Sequence, residues 1–127
     1  MTLRKGERAL LNFGHTLGHA IEKEMNFSLY HGECVVLGMI AALNICVELG
    51  TITAEERDDA LNTFALYEFP DHVTGIKIDD VIAVSKNDKK MDAGKVKFIL
   101  LKSVGDAYID RDITDDQMRR ALEGVIR

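Results

Sequence analysis

Between His31 and Leu49 the side chains of Val35, Val36, Leu37, Met39, Ile40, Ala41, Ala42, Leu43, Ile45 and Val47 leave almost no helical face polar. A helix that is apolar all round cannot lie on a surface with one side in water, so other elements must enclose it. Gly50 stands where a left-handed residue would end such a helix. The rest of the chain therefore has to supply partners on several sides, and the fold class that follows is mainly α, a helical bundle domain. The apolar run from Cys34 to Leu49 is short for a bilayer span and carries Asn44 and Glu48, and Met1 to Gly6 holds no apolar signal core. A cytoplasmic protein with no membrane partner is expected.

Candidate partners for the central helix lie on both sides of it. Glu7 to Met25 reads as a helix despite Gly14 and Gly18, which each cost about 1 kcal/mol relative to alanine. Four positions apart, these glycines share one face, where a missing side chain admits another helix, a ligand or a backbone. Asn26 to Tyr30 breaks the pattern. Thr53-Ala54-Glu55-Glu56 is a capping box opening a third helix that ends before Pro70, with Leu61, Phe64 and Ala65 as its inner stripe. Asp79 or Asp80 can cap a short helix through Val81, Ile82 and Val84. Lys95 to Leu101 alternates and is β-branched, and Val104-Gly105-Asp106 turns it towards Ala107 to Asp110, so a small two-stranded antiparallel hairpin is expected near the C-terminus. Thr114-Asp115-Asp116-Gln117 is a second capping box, with Met118, Leu122 and Val125 on the apolar face of a last helix. No repeat or linker interrupts the chain, and residues 1–127 read as a single domain.

Charge and cysteine content narrow the function classes. Sixteen Lys and Arg against twenty-one Asp and Glu leave a net charge of −5. That balance argues against a nucleic-acid surface, so any anion site must be local. Cys34 and Cys46 lie twelve positions apart in one helix, about 18 Å along its axis, too far for a disulfide. Both read as reduced core thiols.

Of the four histidines, His15, His19 and His31 fall in the first quarter of the chain, and His72 stands alone. His15 and His19 share a helix face at a spacing of four, about 5–6 Å between Cβ atoms. The zinc motif of helical metalloproteases needs glutamate after its first histidine, and Thr16 stands there instead. His31 begins the next helix, where an antiparallel return would set it opposite the first. Imidazoles from two helices could then meet one ion, with Glu22, Glu24 and Glu33 as nearby carboxylates for a further ligand. Capping or core hydrogen bonds are the competing roles for these rings.

The stretch Arg8-Ala9-Leu10-Leu11-Asn12-Phe13-Gly14-His15-Thr16-Leu17-Gly18-His19-Ala20-Ile21-Glu22, followed by His31-Gly32-Glu33, resembles the signature of the 3-dehydroquinate synthases. Asp88-Lys89-Lys90 ahead of the hairpin is similar to a later segment of the same family, and Cys34 stands where that family more usually has alanine. The resemblance implies a C-terminal metal- and substrate-binding domain, with the family's N-terminal NAD-binding domain absent from this chain. It implies His15 and His31 as ligands of a catalytic zinc, or cobalt, with a glutamate from the missing part completing the set. Asn12 and His19 would serve in catalysis and contact the substrate phosphate, Lys89 or Lys90 would join them there, and Arg8 would bind the substrate carboxylate through a two-pronged guanidinium contact.

The family chemistry implied is conversion of the sugar phosphate 3-deoxy-D-arabino-heptulosonate 7-phosphate to 3-dehydroquinate and phosphate, a lyase step of the shikimate pathway and aromatic amino acid biosynthesis. NAD is used without net consumption and is bound mainly by the missing domain. A homodimer is expected of the full enzyme, and this chain alone is expected to be inactive. Two rival readings remain at this point: a metal-dependent alcohol or glycerol dehydrogenase-like domain, and a non-catalytic helical metal-binding module.

Overall fold

The computed structural model describes residues 15–26, 30–86, 98–103, 106–110 and 113–127. Within them the chain is mainly helical. The helices are α1 (His15–Glu24), α2 (His31–Leu49), α3 (Ala54–Leu66), α4 (Ile78–Lys86) and α5 (Asp115–Leu122). Strands β1 (Phe98–Ser103) and β2 (Asp106–Asp110) pair antiparallel from Phe98 opposite Asp110 to Leu101 opposite Ala107, with an irregularity between Leu101 and Ser103.

The central position of α2 follows from its all-round apolarity. It meets α1, α3, α5 and the backbone of β1, while α4 packs on both α1 and α5. The core gathers Leu17 and Ile21 of α1, Leu37, Ile40 and Ile45 of α2, Val81 of α4, and Met118, Leu122 and Val125 at the C-terminal end. Counted from His31, α2 has nineteen residues and by length and composition could cross a bilayer, so shortness is not what sets it apart from a membrane span. More than half of it is instead buried inside the fold. Its central polar residue is also satisfied: Asn44 Nδ2 donates to the Ala121 carbonyl at 3.0 Å, and Arg57 Nη1 donates to Asn44 Oδ1 at 3.4 Å.

Local signals stop and start the helices. Asn26, at φ 55°, turns left-handed and ends α1. Gly50, at φ 80°, ends α2; its N–H donates to the Val47 carbonyl at 3.1 Å and that of Thr51 to the Cys46 carbonyl at 3.0 Å. These two bonds satisfy carbonyls that a helix end otherwise leaves bare. Thr53 Oγ1 accepts from the Glu56 N–H at 3.1 Å and Glu56 Oε1 accepts from the Thr53 N–H at 3.0 Å, closing the capping box of α3. Thr114 and Gln117 do the same for α5 at 3.2 and 2.8 Å. Beyond α5 the chain returns to Val73, whose N–H donates to the Val125 carbonyl at 2.8 Å and whose carbonyl accepts from Arg127 at 2.9 Å.

Two local expectations change. Asp79 and Asp80 are not caps, because α4 already starts at Ile78; they lie in its first turn, where a negative charge still favours the helix dipole. On α3, Ala60, Leu61 and Phe64 are partly buried against the core, whereas Ala65 is exposed. At about 100° per residue, Ala60 and Ala65 lie at equal angles on either side of a face centred between Leu61 and Phe64, and the packing turns the Ala60 side to the core.

Candidate functional site

The site region is built by the crossing of α1 and α2. A Cβ placed on Gly18 would lie only 2.7 Å from the Cys34 carbonyl oxygen and 3.2 Å from the Val35 Cα, so this glycine lets the two backbones touch. Further along α1, Glu22 meets His31 at the first residue of α2. Advancing along α1 from Gly18 to Glu22 therefore means moving back along α2 from Cys34 to His31, an antiparallel crossing.

Glu22 is buried at 8% relative exposure, although it is acidic. Its Oε2 lies 2.9 Å from His31 Nδ1, a hydrogen bond, and its Oε1 lies 3.6 Å from His19 Nδ1, within ion-pair reach. The carboxylate side chain is 11% accessible, whereas the rings of His19 and His31 are 40% and 63% accessible. Two imidazoles thus open to solvent above one buried carboxylate. Among the described residues no buried side-chain nitrogen or oxygen lacks a partner.

The same carboxylate acts on its apolar neighbour. Burial, with Glu22 and then Glu33 adding negative charge nearby, pushes the Cys34 thiol up to about 11. A thiol this reluctant to ionise is a poor nucleophile and a poor metal ligand at neutral pH. Cys34 and Cys46 are both buried, and neither forms a disulfide.

Of the carboxylates near the histidines, Glu33 is committed to the start of α2, where its Oε1 accepts from the Tyr30 N–H at 3.3 Å. Glu24 sits half-buried on the last turn of α1. Glu22 alone among these three is bonded to a site imidazole, a role visible in sequence only as one acidic residue beside buried Ala20 and Ile21, three positions after His19. His15 opens α1, while Arg8, Asn12, Lys89 and Lys90 lie outside the described residues. His72 is remote in role: its Nδ1 lies 2.7 Å from Asp71 Oδ1 on the surface, which holds the Asp71 carboxyl below its ordinary range.

No group of three or more His, Cys, Asp or Glu able to hold a metal is present among the described residues. The chemistry at His31 nevertheless fits a metal ion. An accessible imidazole that donates one ring N–H to a buried carboxylate is the arrangement in which the other ring nitrogen becomes a well-oriented, more basic ligand.

The chain matches the family model described as 3-dehydroquinate synthase C-terminal over residues 2–91. Among curated proteins, the 3-dehydroquinate synthase of Acetivibrio thermocellus is 41% identical over 118 residues, covering 92% of this chain and 33% of that protein. That of Nostoc punctiforme is 40% identical over 125 residues, covering 94% of this chain and 34% of its own length. The chain thus spans about a third of the length of the curated relatives it matches. Among solved structures it superposes on the 2-epi-5-epi-valiolone synthase of Streptomyces hygroscopicus subsp. jinggangensis, solved with NAD+ and Zn2+ bound, with a TM-score of 0.79 and 26% identity. The match covers 89% of this chain and 31% of that one.

Proposed function

Because the chain belongs to the 3-dehydroquinate synthase C-terminal family, we propose that it forms the metal- and substrate-binding part of a 3-dehydroquinate synthase, a carbon–oxygen lyase of aromatic amino acid biosynthesis. The observation that carries the reading at the site is the 2.9 Å contact between Glu22 and His31, which equips an accessible imidazole for metal ligation. Residues 1–127 act as one C-terminal domain. The matched relatives are about three times as long, which supports a further domain in the working enzyme; in this reading that domain lies ahead of this part and binds NAD, and the enzyme is a cytoplasmic homodimer.

In this reading His15 and His31 hold a zinc or cobalt ion. Such an ion would supply Lewis-acid polarisation of a substrate oxygen held beside it. The remaining residues bind and orient. Arg8 takes the carboxylate of 3-deoxy-D-arabino-heptulosonate 7-phosphate by parallel hydrogen bonds, since a planar guanidinium matches a carboxylate. Asn12, His19 and a lysine, Lys89 or Lys90, take the phosphate that leaves as 3-dehydroquinate forms. Holding the substrate at both ends fixes its ring-forming carbon chain against the ion and restricts unproductive rotations.

The structural likeness to 2-epi-5-epi-valiolone synthase supports a second reading, a related cyclase acting on another sugar phosphate. Phosphate release decides between them. With zinc, NAD and the N-terminal part supplied, release from 3-deoxy-D-arabino-heptulosonate 7-phosphate is expected, and release only from a sugar phosphate lacking the carboxylate would favour the second reading. His31→Ala is expected to abolish zinc retention; unchanged zinc content would remove His31 from the ligand set.

A further inference from the structure

Glu22 is not among the residues that the reading above places on the ion or the substrate, yet it is one of only two polar residues buried among the described ones, the other being Ser85. Ser85 is explained locally, since its Oγ donates to the Ile82 carbonyl at 2.6 Å. Glu22 reaches instead to two rings of the candidate site, at 2.9 Å to His31 Nδ1 and 3.6 Å to His19 Nδ1. Burying a carboxylate is costly unless hydrogen bonds compensate, so its place beneath these rings calls for a function.

We propose that Glu22 is a positioning residue of the metal site: its carboxylate accepts the Nδ1–H of His31, fixing the tautomer and orientation in which Nε2 meets the ion. This rests on the reading of His31 as a ligand. A carboxylate accepts hydrogen bonds and cannot donate, so the shared proton sits on Nδ1 and the Nε2 lone pair is left as the coordinating one. The lone pairs of the two ring nitrogens diverge, so an oxygen bonded at Nδ1 stands behind the ring and cannot also bind an ion held at Nε2. Glu22 is thereby distinguished from the direct carboxylate ligand of the site. The close crossing at Gly18 keeps α1 and α2 at the separation this contact needs.

Three variants and two readouts test the proposal. Nitrogen-15 spectra of the His31 ring in metal-free protein, taken above neutral pH, are expected to show the Nδ1–H tautomer in the wild type and the Nε2–H tautomer in Glu22→Ala. Zinc affinity, measured by chelator competition, is expected to fall about 10–100-fold in Glu22→Ala, the usual effect of removing such a partner. Glu22→Gln keeps an acceptor of the same shape, so it should recover most of that loss and also serves if the alanine variant folds poorly. An Nε2–H tautomer in the wild type overturns the proposal. So does wild-type zinc affinity in both Glu22 variants while His31→Ala loses zinc, a result that leaves the metal reading standing. If Glu22→Gln loses zinc as fully as His31→Ala, Glu22 is a direct ligand and the positioning role is refuted. Zinc retention by His31→Ala sinks the metal reading itself.

Discussion

Replacing Gly18 with alanine should destabilise this protein, although alanine is the better helix former by about 1 kcal/mol. The added Cβ would lie 2.7 Å from the Cys34 carbonyl oxygen, 3.3 Å from its carbon and 3.2 Å from the Val35 Cα. All three are backbone atoms, so no rotamer change relieves the crowding. Regaining an ordinary contact of 3.4 Å requires α1 and α2 to part locally by about 0.7 Å. Overpacking of this kind costs about 1–3 kcal/mol, and an unyielding backbone places Gly18→Ala in the upper half of that range. After the helix-propensity gain, a net loss of roughly 1–2 kcal/mol remains, or a midpoint lower by roughly 4–8 °C for a chain of this size. Gly32→Ala is the control: it lies on the same helix pair with nothing within 4 Å of its Cβ position, so a gain of about 0.4–1 kcal/mol is expected. Urea unfolding and thermal melts followed by circular dichroism measure both. A Gly18→Ala protein as stable as the wild type would refute the close crossing.

Two further outcomes follow from contacts around α2. Cys34 should resist alkylation in the native state and become reactive only as pH climbs towards about 11 or the protein unfolds, because burial and two glutamates oppose its thiolate. Rapid native labelling of Cys34 at neutral pH would contradict that. Asn44→Ala removes the donor to the Ala121 carbonyl, at 3.0 Å, and leaves Arg57 without its side-chain partner on α2. A loss of about 1–3 kcal/mol is expected in denaturant titrations, and a change of only a few tenths would show that water replaces the amide.

The residues that announce themselves in sequence are those whose structural meaning is local. The apolar faces of α2, the left-handed stop at Gly50 and the paired caps of Thr53 and Thr114 depend on neighbours within a few positions, and each is legible without coordinates. The register of α3 is less so, because Ala60 and Ala65 are equally apolar and only the packing direction chooses between them. At the site, three glutamates compete on proximity alone. Which one bonds to His31 depends on the angle and separation of two helices, set by Gly18, and on Glu33 being taken by the Tyr30 N–H. Asp79 shows the same limit in charge: it binds Arg119 at 2.7 Å, forty positions away, a pairing that no local pattern encodes.

The hydrogen bond from Asn44 to Ala121 joins residues 77 positions apart. During translation at about 5–20 residues per second, α2 is made roughly 4–15 s before the helix that covers one of its sides. Within that interval α1 is already made and α3 and β1 follow, but the side that α5 covers stays bare on an apolar rod of bilayer length, an attractive target for chaperones and for the membrane-insertion machinery alike. The newborn chain must therefore be held back from lipid and from its own copies until α5 arrives.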